Sequence, residues 1–282
     1  MKAKQQTMMI AAAVALMGCV QTPKGQDTTK AARQEQKAAR EYRDSGKWGK
    51  AVSKEFDLAD FAAIRTEGHV EIIYMQDDAY SVKVFGNEEA IKQYELAIDE
   101  AKRQLDINLK DYHYDAASIS RDEIPGITVF ITTPALEDVH VYGEGDVEIK
   151  SDIRQQCDLN ITVRGAGDVD TKDIEALGLN IDINGAGDVK LKKAVCRGNA
   201  TFTLNGAGDV NAKVECANAS IEVNGEGDVE LKVKCNELTA RCNGTGDVEL
   251  KGECNVLNKK DGVAGSIDSR GLKAKKVNLI RI

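Results

Sequence analysis

One short motif, Gly-x-Gly-Asp-Val, occurs six times in the second half of this chain. It reads GEGDV at 143, GAGDV at 165, 185 and 206, GEGDV at 225 and GTGDV at 244. Successive starts differ by 22, 20, 21, 19 and 19 residues. A period near 20 means one structural unit used repeatedly, each copy burying its apolar face only against its neighbours. A further 19 residues reach Val263-Ala264-Gly265-Ser266-Ile267, a decayed copy that keeps the second glycine. Glu67-Gly68-His69-Val70-Glu71-Ile72 resembles Glu144-Gly145-Asp146-Val147-Glu148-Ile149, so a diverged copy opens the domain.

Alternation around the motif sets the local structure. Ser220-Ile221-Glu222-Val223-Asn224 leads into a corner and Val229-Glu230-Leu231-Lys232-Val233 leads out. Side chains alternate on a strand, so the aliphatics share one face and the polar residues the other. Each repeat is therefore two short strands joined by a glycine-rich corner. The expected fold class is all-β: a parallel β-helix-like stack of about seven two-stranded coils at ~4.8 Å per coil, with one inserted α-helix in the N-terminal half.

The expected turn ladder comprises Gly143, Gly145, Asp146, Gly165, Gly167, Asp168, Gly185, Gly187, Asp188, Gly206, Gly208, Asp209, Gly225, Gly227, Asp228, Gly244, Gly246 and Asp247. The paired glycines permit positive φ at a crowded corner. Asn184, Asn205, Asn224 and Asn243 precede four of the motifs and can form an amide ladder. The aspartates need an offset, because carboxylates ~4.8 Å apart repel by roughly 0.9 kcal/mol per neighbouring pair in water. Backbone N–H donors at each turn supply one. Bound Ca²⁺ is the alternative. However, the calcium-binding nonapeptide pattern G-G-x-G-x-D differs in both spacing and period. No metal or cofactor is expected.

Seven cysteines are present. Cys216, Cys235 and Cys254 lie nine residues before the local motif start; Cys157 lies eight before and Cys196 ten before. They occupy nearly one track, interrupted at Ala176. In-register side chains ~4.8 Å apart are wide for disulfides, whose Cβ atoms want roughly 3.5–4.5 Å, so a buried thiol ladder with at most one bridge is expected. The track has no CxxC and no histidine, which argues against metal binding by these thiols. Cys242 aligns with Val223 and reads as core.

The N-terminus carries an address. Lys2 and Lys4 precede the apolar run Met8–Met17, too short for the ~20 residues a spanning helix needs. It ends in Leu16-Met17-Gly18-Cys19, which resembles the bacterial lipobox. That resemblance implies cleavage after residue 18 and lipidation of Cys19, with acyl chains as the membrane anchor. Residues 1–18 are thus a signal peptide and 19–51 a polar tether. Val20, where an Asp would favour inner-membrane retention, points to the outer membrane. The acid-free stretch 20–24 leans to its periplasmic face.

Residues 52–142 read as divergent strands (70–74, 80–84 and 126–132) plus a helix over 87–105. Ile91, Tyr94, Ala97, Ile98, Ala101 and Leu105 fall at helical spacing after a candidate N-cap at Asn87. The repeats cover 143–270, and 271–282 is a terminal strand.

Phe61-Ala62-Ala63-Ile64, Val70-Glu71-Ile72, Pro134-Ala135-Leu136 and the six motifs together resemble the putative auto-transporter adhesin head GIN domain family, lipoproteins of Bacteroides-like bacteria. The resemblance covers about residues 56–270. It implies a parallel β-helix-like fold and brings no catalytic residues.

The formal net charge is −8, and removing Lys2 and Lys4 leaves 36 basic against 46 acidic residues, or −10. Such a chain is unsuited to binding nucleic acid through phosphates. The expected function is a non-catalytic envelope scaffold or binding module, with an envelope protein or glycan as partner. A polysaccharide-active β-helix enzyme or a Ca²⁺-stabilised module is the alternative. Phe202 is the only aromatic residue in 143–282, so Tyr112, His113, Tyr114, His140 and Tyr142 are the candidate recognition residues.

Overall fold

The structure, a computed structural model, describes residues 49–110, 126–262 and 264–280. The signal peptide, Cys19, nearly all of the tether, and Tyr112, His113 and Tyr114 lie outside the described residues. The chain forms a β-solenoid of about seven turns with one short helix.

Each coil of the repeat region supplies one strand to each of two columns. The first column runs through β9 (Val147–Ile149), β12 (Val169–Ala176), β14 (Val189–Cys196), β16 (Val210–Glu215) and the first halves of β18 (Val229–Cys242), β19 (Val248–Lys260) and β20 (Ile267–Leu279), all parallel. Short β10 (Ile153–Arg154) joins it by pairing the far half of β12. The second column runs through β8 (Asp138–Val141), β11 (Leu159–Val163), β13 (Leu179–Ile183), β15 (Asn199–Leu204), β17 (Asn218–Val223) and the second halves of β18, β19 and β20. β20 crosses position 271 without a break, so no separate terminal strand begins there.

The register explains the core. Val147, Val169, Val189, Val210, Val229, Val248 and Ile267 are successive partners, and each is at most 3% exposed. Opposite them stack Val139, Ile161, Ile181, Phe202, Ile221 and Ala240. A one-residue slip would turn every aliphatic outward, so the hydrophobic pattern pins the register. Beyond Ala240 the column ends on the exposed Leu279 after turning polar at Lys259. Its Nζ reaches Ile267 O at 2.5 Å and Asp261 at 3.3 Å.

The N-terminal half closes the other end with antiparallel strands. β1 (Ala51–Phe56) pairs β4 (Ser81–Asn87), and β4 pairs β7 (Ile127–Thr133). β7 runs parallel to β3 (Val70–Gln76), which pairs β9 and so joins the first column. β2 (Ala63–Thr66) pairs β8 on one side and β6 (Gln104–Leu109) on the other; β6 pairs β5 (Tyr94–Asp99) antiparallel.

The helix expected over 87–105 is not formed at that length. α1 spans only Glu88–Lys92, and the rest is the β5–β6 hairpin. Tyr94, Leu96 and Ile98 also alternate, as do Leu105, Ile107 and Leu109. Tyr94 and the β6 set are buried in the core, and Leu96 and Ile98 pack against it. The turn is held by Asp99, whose Oδ1 accepts the N–H groups of Ala101 and Lys102, with Arg103 at φ 51°. Pairing with β2 buries this face, and tertiary context overrides the helical propensity of the segment.

The diverged opening copy stacks on the first motif, but two residues out of the expected register. Ile72, not Val70, is the partner of Val147, and Gly143 sits over Gly68. The shift is even, so inward residues stay inward.

Candidate functional site

The corners form one continuous edge of the solenoid. A Cβ added at Gly165, Gly185, Gly206, Gly225 or Gly244 would lie 1.8–2.0 Å from the carbonyl oxygen of the glycine one coil earlier. Added at Gly167, Gly187, Gly208, Gly227 or Gly246 it would lie 2.0–2.1 Å from the equivalent oxygen. Gly143 and Gly145 meet Gly68 and Val70 at 2.3 and 2.0 Å. None of these glycines has positive φ; that conformation belongs to Gly49, Gly68 and Gly252. The motif glycines are thus needed for close backbone approach between coils, not for left-handed geometry. The residue between them is exposed and varies among Ala, Glu and Thr.

Each aspartate bridges two coils. Asp146, Asp168, Asp188, Asp209 and Asp228 each accept, on Oδ1, the backbone N–H of the aspartate one coil on, at 2.7–2.9 Å. Asp247 accepts the N–H and hydroxyl of Ser266 at 3.0 and 2.8 Å, which ends the ladder. The donors are backbone amides, as the charge argument requires, but they come from the neighbouring coil and not from the same turn. Alongside, Asn205, Asn224 and Asn243 each donate from Nδ2 to the preceding Asn184, Asn205 and Asn224 at 2.8–2.9 Å.

Beside the ladder lies an open groove of about 420 Å³, lined by Asp188, Asp209, Asp228, Asp247, Glu230 and Glu249 together with Lys190 and Asn211. Among the described residues no group of three or more His, Cys, Asp or Glu is arranged to hold one metal ion. One oxygen of each ladder carboxylate is already committed to a backbone amide.

The cysteine track is continuous over four coils. Ala176 pairs Cys196, Cys235 pairs Cys254, and Cys254 pairs Ala274; Cys216 falls between Cys196 and Cys235. None of the six described cysteines is in a disulfide. Cys216 and Cys235 are half-buried, Cys196 and Cys254 are buried, and Cys242 is in the core. Burial pushes the Cys196 and Cys254 thiols up to about 11. Cys216 is held below the ordinary thiol value by a hydrogen bond from Cys235.

Of the recognition residues, His140 and Tyr142 lie on β8 and just beyond it, and sequence reasoning missed their neighbours. The Tyr142 ring carries the Arg65 guanidinium 4.8 Å from its centre and that of Arg164 at 5.5 Å. His140 sits 6.2 Å away, ring to ring. Arg65 is oriented by Asn108 at 2.8 Å and Glu67 at 3.0 Å. Burial holds the His140 proton affinity below its ordinary value; Asp138 opposes this, and Arg164 and Arg65 add to it. Outward side chains of neighbouring strands meet across a column, which would have marked Arg65 as the neighbour of His140 once β2 was paired with β8.

Fold and corner ladder together define a two-column parallel β-solenoid stapled by Gly-x-Gly-Asp corners. The chain belongs to the family described as putative auto-transporter adhesin, head GIN domain, whose model matches residues 60–230 and 204–280. Its fold is similar to that of a putative adhesin from Bacteroides fragilis NCTC 9343, at 20% identity and TM-score 0.66, covering 85% of this chain and 99% of that one. A putative adhesin from Parabacteroides distasonis ATCC 8503 is similar at 18% identity and TM-score 0.64, covering 85% and 100%. A putative lipid binding protein from the same organism follows at 17% and 0.56, with 85% and 100% covered. No curated protein matches the chain.

Proposed function

We propose that this chain is a non-catalytic binding module of the bacterial cell envelope. Cys19 carries the lipid anchor at the outer membrane, residues 19–51 are the tether, and the solenoid faces the periplasm. The membership in an adhesin-type family supports a binding role, and the lipobox-like Leu16–Cys19 supports the anchor. The partner is an envelope glycan or protein bearing negative charge.

The observation that carries this reading is the Arg65–Tyr142–Arg164 cluster. Two guanidinium groups beside one tyrosine ring combine charge, planar hydrogen-bond donors and an aromatic edge. Such a group of side chains recognises carboxylate or sulfate groups on an extended ligand.

The test is an array of neutral and acidic envelope glycans probed with the full chain, with envelope extracts as a second arm. Saturable binding that is lost in Arg65→Ala and Tyr142→Ala, without turnover, is expected. Glycan cleavage would overturn the non-catalytic reading, and binding indifferent to both substitutions would remove the cluster from it. Metabolic labelling with an alkynyl fatty acid, lost in Cys19→Ala, tests the anchor separately.

A further inference from the structure

We propose that the cysteine track is a binding site for a soft, two-coordinate metal ion of the Cu(I) class, held between the thiolates of Cys216 and Cys235. The two residues occupy equivalent positions in consecutive coils, because Glu215 pairs Lys234 immediately before them. The Cys216 N–H donates to Lys234 O at 3.0 Å, which fixes that register next to the two thiols. Each sulfur has a backbone carbonyl two residues on within reach, Asn218 O 3.3 Å from Cys216 Sγ and Glu237 O 3.4 Å from Cys235 Sγ.

The spacing selects the chemistry. Stacked strands lie about 4.8 Å apart, while a disulfide wants its Cβ atoms roughly 3.5–4.5 Å apart. A linear sulfur–metal–sulfur unit with bonds of about 2.3 Å, the scale of a zinc–thiolate bond, spans about 4.6 Å. That fits the coil repeat without displacing the backbone. Zinc wants four ligands in a tetrahedron, and the column offers no histidine or carboxylate to complete one. The missing third and fourth ligands argue against zinc, but a two-coordinate ion does not need them. Soft thiolates favour Cu(I).

Access and charge agree with this assignment. An opening of about 410 Å³ reaches Cys235 and Cys254 and is lined by Lys234, Lys273, Lys275 and Glu253, the last paired with Lys234 at 3.0 Å. Binding releases one proton from each thiol and leaves a bis-thiolate complex with one negative charge, which these lysines face. No electron is transferred. Cys196 and Cys254, both buried, flank the pair on either side.

The experiment uses the reduced full chain carrying Cys19→Ser, titrated anaerobically with Cu(I) against a chromophoric Cu(I) chelator. The chain is expected to withdraw a first stoichiometric equivalent. Cys216→Ser and Cys235→Ser should each lose that equivalent, whereas Cys157→Ser keeps it. A second readout needs no thiol-column variant: Cu(I) should protect Cys216 and Cys235 from iodoacetamide, and leave Cys157 reactive, as read by peptide mass spectrometry. Retention unchanged by both substitutions, uniform protection of all thiols, or a Cys216–Cys235 disulfide formed on air exposure of the metal-free chain would overturn the assignment.

Discussion

Replacing Gly206 by alanine tests the physical role of the corners. The added Cβ would sit 1.8 Å from Gly185 O and 2.8 Å from Gly185 C. Both are backbone atoms, so no side chain can swing aside. The coils must separate locally, which strains the hydrogen bonds from Ala207 N to Gly185 O at 2.9 Å and from Asp209 N to the Asp188 carboxylate at 2.9 Å. Overpacking usually costs about 1–3 kcal/mol, and a backbone-on-backbone clash belongs at or above the upper end, about 3 kcal/mol. For a domain of this size that corresponds to roughly 6–12 °C in melting temperature. Thermal melts followed by circular dichroism, with urea denaturation as a check, measure it. Ala207→Glu is the control, since the equivalent position in the next coil is Glu226 and both are exposed; it should change stability by no more than about 0.5 kcal/mol. A Gly206→Ala melt within a degree or so of the parent would refute the close-approach argument.

Three further outcomes follow from the same geometry. Asp209→Ala removes the acceptor for Asp228 N–H and should cost about 1 kcal/mol, with Asp209→Asn losing less because an amide oxygen can still accept; urea titration reads both. Chelator should leave the melting temperature unchanged, because the ladder carboxylates are offset by backbone amides; a chelator-sensitive melt would restore the Ca²⁺-stabilised alternative. His140 has its folded-state proton affinity lowered below the ordinary 6.5, so protonation opposes folding. Stability should therefore be full above pH 6.5 and fall as the pH drops through the lower folded-state value, a slope that His140→Gln flattens in pH-dependent melts.

Much of the architecture is legible from spacing alone. Identical corners at a 20-residue period allow few arrangements other than parallel stacking, and alternation assigns Val189, Leu191, Ile181 and Ile183 to the interior. The asparagine ladder and the thiol track follow from register, since residues at equal distance from the motif become neighbours. What spacing does not reveal is which neighbour supplies a contact. Asp188 looks the same whether its carboxylate caps its own turn or accepts the amide of Asp209. Gly206 looks the same whether it relieves a dihedral angle or makes room for Gly185 O. The segment 87–105 was ambiguous for a different reason. Its apolar residues satisfy both a helical and an alternating period, and only pairing with β2, distant in sequence, decides between them. The Arg65–Tyr142 contact is hidden similarly, because it joins residues 77 positions apart through the pairing of β2 with β8.

The central claim is a stack advancing by one strand spacing per motif. Pulsed electron-paramagnetic-resonance distances test it directly, with labels on non-canonical residues at the exposed middle position of the corners, so that native thiols stay unlabelled. From Glu144, the separation should grow in equal steps, to about 19 Å at Glu226 and about 24 Å at Thr245, four and five coils on at ~4.8 Å each. Distances that fail to rise steadily with motif number would contradict the stack.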